Sequence, residues 1–113
     1  MKLLICFISP KKIEQVKKML WDAGIRGVTI SQAEGYGYQK VQVASIQGND
    51  YKVQFQPRHR LEIALLDEEL FSTINLLMEV LRTGRVGDGK IFVLPLEDAI
   101  RVRTGEHGES ALS

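Results

Sequence analysis

The sequence is poor in the features that build disulfides, secretion signals and membrane spans. Its 113 residues include a single cysteine, Cys6, so no internal disulfide can form and a cytoplasmic location is favoured. Cys6 lies in the apolar run of residues 3–8, where a buried small side chain is commoner than a nucleophile or a metal ligand. This run of six residues is too short for a signal-peptide core or a membrane helix. We therefore expect a cytoplasmic protein.

Groups suited to catalysis or metal binding are also scarce. The two histidines, His59 and His107, stand alone without a second ligand at useful spacing. No carboxylate pair, no nucleophile beside a base and no Cys/His cluster is visible, so the sequence predicts a protein that is not an enzyme. The formal net charge of +1 argues against a dedicated polyanion binder, because such proteins usually carry a clear basic excess.

Apolar periodicity and turn signals predict a single α+β domain over residues 1–113. The predicted order is a strand at 3–8, a helix at 10–23, strands at 27–31 and 58–66, a helix at 67–82 and a strand at 90–94. This βαββαβ order predicts a ferredoxin-like sandwich, a four-stranded antiparallel sheet with two helices on one face. The polar stretch 36–54 has no clear period and predicts a long loop between strands two and three, which is commonly functional.

The predicted sheet has more apolar residues than two helices can cover. On the third and fourth strands Ala64, Leu66, Phe92 and Leu94 alternate with the apolar residues that would face the helices. A face this apolar is unusual on a soluble monomer. We expect it to pack against other copies of the chain.

Residues 83–90, with the sequence TGRVGDGK, are the strongest candidate for an anion site. Three glycines allow backbone N–H groups to approach an anion closely, and Lys90 adds a charge beside them. Residues 84–90 match the spacing of a P-loop, but Ile91 replaces the Ser or Thr that would hold magnesium, and a strand follows instead of a helix. The segment thus excludes a Walker NTPase and leaves either a phosphate-binding loop or a plain turn.

Two further features are weaker indications of the same chemistry. Arg101 and Arg103 alternate in a segment predicted to be extended, so both would point the same way and suit a polyphosphate, although a solvated edge strand is an alternative. Gly35 and Gly37 stand at the start of the long loop and favour a second point of close approach.

Taken together, these segments resemble the PII signal transduction (nitrogen regulatory protein P-II) family, with a divergent T-loop. The resemblance covers nearly the whole chain and is carried by residues 83–93 (TGRVGDGKIFV), 100–106 (IRVRTGE), 24–29 (GIRGVT) and 35–37 (GYG). It implies a cytoplasmic homotrimer with ATP or ADP in the clefts between subunits. The family's loops would correspond to 37–55 (T-loop), 82–90 (B-loop) and 101–113 (C-loop region).

The resemblance also implies roles for individual residues. The implied nucleotide-binding residues are Thr29, Gly35, Gly37, Tyr38, Gln39, Glu62, Ala64, Gly87, Asp88, Gly89, Lys90, Arg101 and Arg103. The implied 2-oxoglutarate residues are Gln39, Lys40, Val41 and Arg58, with Gln39 also the ligand of Mg²⁺ when ATP is bound. Tyr51 matches the tyrosine that a uridylyltransferase modifies in some members, and the T-loop would contact regulated enzymes or a membrane transporter of the ammonium-transporter type.

Several positions depart from the family pattern. Tyr38 replaces an arginine that reaches the terminal phosphate, which weakens the preference for ATP over ADP. Arg58 replaces a lysine that pairs with 2-oxoglutarate, and a guanidinium fork differs in geometry from an ammonium. The T-loop departs at Val41, Ala44, Ile46 and Gln47.

The expected function is regulation of partners in nitrogen metabolism through the T-loop, without enzymatic activity. One alternative is a PII-like regulator of a transporter or enzyme outside nitrogen control, sensing another metabolite. A more distant alternative is an RNA-recognition module, which shares the βαββαβ order but needs aromatic residues on its central strands, and residues 58–66 contain none.

Overall fold

The computed structural model describes residues 1–25, 27–36, 43–46 and 50–112, with the backbone alone for 43–46 and 50–53. The elements in chain order are β1 (Lys2–Ile8), α1 (Ile13–Asp22), β2 (Thr29–Gly35), β3 (Val43–Ile46), β4 (Asp50–Val53), β5 (Gln56–Leu65), α2 (Leu70–Leu81) and β6 (Lys90–Pro95). The main sheet has the order β2-β5-β1-β6 with every neighbouring pair antiparallel, and β3 and β4 pair as a separate hairpin. The predicted ferredoxin-like α+β fold is confirmed.

The hydrophobic core lies between one face of the sheet and the two helices. Alternate residues of the central strands β1 and β5 point into it, because successive side chains of a strand face opposite ways. The sheet contributes Leu4, Cys6, Ile8, Leu61, Ile63 and Leu65, and the helices contribute Ile13, Val16, Leu20, Leu77 and Leu81. The helical residues recur every three or four positions, so each helix turns one apolar stripe inward. Removing these side chains from water stabilises the fold.

The opposite face of the sheet, which we call the open face, is apolar and uncovered. Phe92 and Leu94 on β6 are 48% and 39% exposed, and they lie across from Ile5 and Leu3 in the β1–β6 register. The rings of Phe7 and Phe92 meet edge to face with centroids 6.2 Å apart. The predicted second apolar face is thus confirmed, whereas its packing against other copies stays a prediction.

The predicted boundaries of β2 and β5 were wrong by one to four residues. β2 starts at Thr29, not at residue 27, and continues to Gly35, while β5 starts at Gln56 and ends at Leu65. The reason is their pairing, in which Gly35 lies opposite Gln56 and extends the ladder beyond the apolar residues. The prediction of one continuous loop over 36–54 was also incomplete, because the β3–β4 hairpin lies within it.

Both helices begin and end near their predicted positions. The Ser9 hydroxyl accepts a hydrogen bond from the Lys11 N–H at 3.3 Å, and a short 3₁₀ turn, Pro10–Lys12, precedes α1. At the start of α2, the Glu69 carboxylate accepts from the Leu66 N–H at 2.9 Å. Within the described ranges, no helix is long and apolar enough to cross a membrane.

Candidate functional site

The segment between α2 and β6, residues 82–89, forms what we call the glycine loop. Gly84, Gly87 and Gly89 have positive φ values of +81°, +103° and +102°, a region that side chains rarely adopt. At Gly89 there is also no room, since a Cβ atom would lie 2.0 Å from the carbonyl oxygen of Phe7 on β1. The loop is therefore pressed against β1 immediately before Lys90.

The carboxylate of Asp88 closes the glycine loop from within. It accepts hydrogen bonds from the Thr83 hydroxyl, from the Thr83 N–H at 2.8 Å and from the Gly84 N–H at 3.0 Å. The Thr83 hydroxyl oxygen accepts in turn from the Arg85 N–H at 3.2 Å. These hydrogen bonds, that of the Thr83 hydroxyl foremost, hold the pKa of Asp88 below its ordinary value.

Five of the predicted site residues meet in one cleft of about 330 Å³ at the end of the sheet where β2 ends and β6 begins. We call it the loop cleft. The residues are Gly35, Arg58, Gly87, Gly89 and Lys90, and the cleft is completed by Phe7, Glu34, Tyr36 and Phe92. Arg58 and Lys90 place two positive charges at the loop cleft. The volume of the cleft is within the range of small-molecule sites. The arrangement suits a small anion.

Asp88, predicted to contact phosphate, does not line the loop cleft. It lines a different groove of about 400 Å³ between α2 and β6, together with Met78 and Arg82. Gly89 and Lys90 border both spaces, so the chain passes from one to the other at this point.

A second group of predicted residues lies toward the other end of the sheet. Thr29 and Glu62 face each other across β2 and β5, and Ala64 follows on the same face of β5. The Glu62 carboxylate accepts from Arg60 Nε at 3.0 Å. Ala64 lines a recess of about 340 Å³ whose other walls include Gly27 and the C-terminal residues Glu109 and Leu112.

The prediction that Arg101 and Arg103 lie in an extended segment was wrong. The chain turns there, with the Gly105 N–H donating to the Arg101 carbonyl at 2.7 Å. The left-handed φ of Gly105, +75°, permits this turn. The Arg101 guanidinium donates to the Ser110 carbonyl at 3.2 Å and lies 3.7 Å from Glu106 Oε1. Arg103 is exposed within the turn.

The C-terminal segment is fastened by Asp98. Its carboxylate contacts His107 Nδ1 at 3.0 Å and accepts from the Ala99 and Gly108 N–H groups at 2.8 and 3.0 Å. These bonds, that to His107 first, lower the pKa of Asp98. Residues 108–112 then form a short 3₁₀ helix against the recess that holds Ala64.

The two groups of predicted site residues lie at separate places on the sheet. Six positions along β5 separate Arg58 from Ala64, roughly 20 Å at the rise of a β-strand. Lys90 and Thr29 lie on opposite edge strands, about 14 Å apart across three strand spacings. The two groups are thus distinct surfaces of one chain, and we call them the two candidate half-sites.

The remaining predicted site residues lie outside the described part of the chain. They are Gly37, Tyr38, Gln39, Lys40 and Val41, and with them the predicted contacts to Mg²⁺ and 2-oxoglutarate. The backbone of Tyr51 pairs with Ser45 in the β3–β4 hairpin, and its side chain is outside the description.

Three features of the site were missed from the sequence. Thr83 was included in the predicted anion segment without a role of its own, although Thr and Asp side chains commonly form hydrogen bonds to nearby backbone groups in turns. Phe7 was assigned only to a buried strand. Tyr36 and Phe55 meet edge to face with centroids 5.1 Å apart, and this contact joins the two ends of the long connection.

The described residues contain no cluster of three or more His, Cys, Asp or Glu side chains that could hold a metal ion. Cys6 is buried in the core, and burial raises the pKa of its thiol to about 11. A protonated thiol is a poor nucleophile. The position of Cys6 therefore supports a packing role.

The fold and the glycine loop define a class first: a small ferredoxin-like α+β domain with a loop whose geometry suits an anion. The family model for the nitrogen regulatory protein P-II matches residues 1–106. The nitrogen regulatory protein P-II of Azospirillum brasilense is 39% identical over 112 residues, 99% of this chain and all of that protein. The nitrogen regulatory protein P-II of Pasteurella multocida and GlnK of Escherichia coli K12 are 41% and 40% identical over the same shares.

The chain belongs to the nitrogen regulatory protein P-II family. It is accordingly a signal-transduction regulator of this class rather than an enzyme. The RNA-recognition alternative is wrong, because the family match covers almost the full chain.

Proposed function

We propose that this chain regulates partner proteins in nitrogen metabolism and binds ADP or ATP between its subunits. The observation that carries the proposal is that the predicted site residues form two groups toward opposite ends of the sheet. In the proposal, each group supplies contacts to the nucleotide that the other does not. Two copies of the chain, joined head to tail, would complete a site.

The loop cleft is suited to the phosphate groups. Gly87 and Gly89 let the backbone approach an anion without side-chain interference. Lys90 and Arg58 supply charge, and phosphate oxygens form short, strong hydrogen bonds with such cations. Glu34 at the same cleft opposes additional negative charge there, so a diphosphate is favoured over a longer chain.

The second half-site is suited to the base and to the outer phosphates. Thr29 and the Glu62 carboxylate offer hydrogen-bonding groups to an adenine edge, and Ala64 beside them leaves space for its ring. Arg101 and Arg103 would reach from this copy to the phosphates held in the neighbour's loop cleft. Arg101 would exchange its contacts with Glu106 and Ser110 for the phosphate, a stronger partner for a guanidinium.

The assembly would be a homotrimer. A head-to-tail interface closes into a ring when its rotation permits, and three copies form the smallest such ring, because a twofold dimer pairs identical surfaces instead. Such a ring would bury the open face, which carries exposed Phe92 and Leu94.

Segment 37–55 would report the state of the site to partners. It begins directly after Gly35 and Tyr36, which line the loop cleft, so a ligand there can change the balance of its conformations. Regulated enzymes or a membrane transporter are the proposed partners. When ATP is bound, Gln39 would be a ligand of Mg²⁺. Gln39, Lys40, Val41 and Arg58 would surround 2-oxoglutarate. Tyr51 would be the site of uridylylation.

A second candidate function keeps the nucleotide site and assigns different partner proteins to the chain. The replacements Tyr38, Val41, Ala44, Ile46 and Gln47 concentrate in the segment that would meet partners. They favour a transporter or enzyme outside nitrogen control, with another metabolite in place of 2-oxoglutarate. Pull-down of partners with and without ADP would separate the two candidates.

The nucleotide site is tested by calorimetric titration of the full chain with ADP, ATP and AMP. We expect Lys90→Ala to weaken ADP binding at least about tenfold, the effect of losing one charge-assisted hydrogen bond. Lys17→Ala on the exposed surface of α1 removes the same charge and serves as the control. Equal ADP affinity in Lys90→Ala and Lys17→Ala, or no ADP binding by the unaltered chain, would contradict the proposal.

A further inference from the structure

An acidic side chain in an anion-binding loop presents an electrostatic problem. A carboxylate close to phosphate groups repels them, and this repulsion is strong where water is excluded. Asp88 stands between Gly87 and Gly89, both of which line the loop cleft. The geometry of the glycine loop shows how this charge is accommodated.

The Asp88 carboxylate is directed to the groove beside α2, where it lies with Met78 and Arg82. There it accepts two backbone N–H groups and one hydroxyl from Thr83 and Gly84, so its charge is distributed over three donors. Lys12 contributes a further positive charge nearby. The carboxylate is thus compensated on the side of the chain away from the cleft.

The same hydrogen bonds fix the shape of the loop. Asp88 joins the end of the glycine loop to its beginning, because Thr83, five positions earlier, donates to the Asp88 carboxylate. At its far end Gly89 is held against the Phe7 carbonyl, where no side chain fits. The backbone of Gly87 is therefore held between two fixed points.

We propose that Asp88 is a positioning residue: its carboxylate clamps the glycine loop in the conformation that receives phosphate, and it sets ligand affinity without touching the ligand. The inference rests on the proposed nucleotide function and assigns Asp88 a different role from that of Lys90. Thr83 is the matching half of the clamp.

The test compares the affinities for ADP and for adenosine, measured by calorimetry and by competition against ADP. We expect Asp88→Asn to weaken ADP binding about tenfold, as for the loss of one charge-assisted hydrogen bond. Adenosine affinity should stay unchanged, because the clamp acts only on the part of the site that holds phosphate. Thr83→Val should weaken ADP binding as well. Thr83→Ser keeps the hydroxyl and should bind ADP as tightly as the unaltered chain.

The double variant Asp88→Asn with Thr83→Val should bind ADP no worse than the weaker single variant, since both substitutions break one clamp. Glu79→Gln, an exposed charge loss on α2, is the control for net charge. Should Asp88→Asn fail to fold, Thr83→Val and Thr83→Ser carry the comparison by themselves.

The outcomes distinguish a failure of the clamp proposal from a failure of the proposed nucleotide site. If the unaltered chain binds ADP and Asp88→Asn and Thr83→Val bind it equally well, the clamp is overturned and the nucleotide site stands. An equal loss of ADP and adenosine affinity would also overturn it, because that pattern indicates a general structural defect. If the unaltered chain binds no ADP, the proposed function fails, and the clamp fails with it.

Discussion

Replacing Gly89 by alanine should damage both the fold and the site, for a reason visible in the backbone. Two costs add at this position. The first is conformational, because φ is +102° and an L residue in the left-handed region costs about 1 kcal/mol. The second is steric, because the added Cβ would lie 2.0 Å from the Phe7 carbonyl oxygen. That atom belongs to the backbone of a central strand, which cannot move aside cheaply.

Gly84 provides the matched control within the same loop. Its φ is +81°, and a Cβ there would meet nothing within 4 Å, so only the conformational cost applies. We expect Gly84→Ala to lower the free energy of unfolding by about 1 kcal/mol. Gly89→Ala should lower it by roughly 2–4 kcal/mol once overpacking is added. For a domain of this size each kcal/mol corresponds to a Tm change of about 4 °C.

Urea unfolding and thermal melts at one fixed protein concentration would measure the difference. The concentration must be held constant, because association of copies adds to apparent stability. ADP titration of both variants would show whether affinity falls further in Gly89→Ala than in Gly84→Ala, as we expect. Equal losses of stability in the two variants would refute the reasoning, since it depends on the contact with Phe7.

Three further predictions concern the core and the C-terminal segment. Leu61→Ala should cost about 2–5 kcal/mol in urea unfolding, because Leu61 is fully buried between the sheet and the helices; a loss well under 1 kcal/mol would contradict this packing. Cys6 should resist iodoacetamide in the native protein and react fully in urea, because burial raises its pKa to about 11 and only the thiolate reacts; fast native labelling would disprove burial. The pKa of Asp98 is lowered in the folded chain, so its stabilising contribution is present above about pH 4 and is lost as pH falls through the lowered value. Asp98→Asn should therefore be less stable than the unaltered chain at neutral pH and converge with it in acid, and parallel pH profiles would count against the contact with His107.

The parts of the fold with a regular apolar period could be predicted from sequence. Leu61, Ile63 and Leu65 alternate as a half-buried strand requires, and Leu77 and Leu81 recur at helical spacing. The β3–β4 hairpin was missed because each strand has four residues, too few to establish a period. The extension of β2 to Gly35 was missed because pairing with β5, not local composition, determines it.

The site could be predicted in its composition and only partly in its geometry. Glycine spacing and Lys90 identified the anion loop, because the chemistry of close backbone approach is local. The direction of the Asp88 side chain depends on Thr83 and Gly84 returning to it through space, which no spacing rule specifies. The turn at Arg101 was missed because the alternation of Arg101 and Arg103 was interpreted as an extended segment, although the left-handed Gly105 permits a turn there.

Complementation between two defective chains tests most directly whether one ligand site is formed by two copies. Lys90→Ala removes a charge of the loop cleft, and the double substitution Arg101→Ala with Arg103→Ala removes the charges of the other half-site. The two variants would be unfolded in urea, mixed in equal amounts, refolded together and titrated with ADP. Each alone should bind poorly, whereas random mixing in a ring should restore ADP binding of normal affinity at roughly a quarter of the sites. A mixture that binds no better than its two components, while the unaltered chain refolded in the same way binds fully, would contradict a shared site.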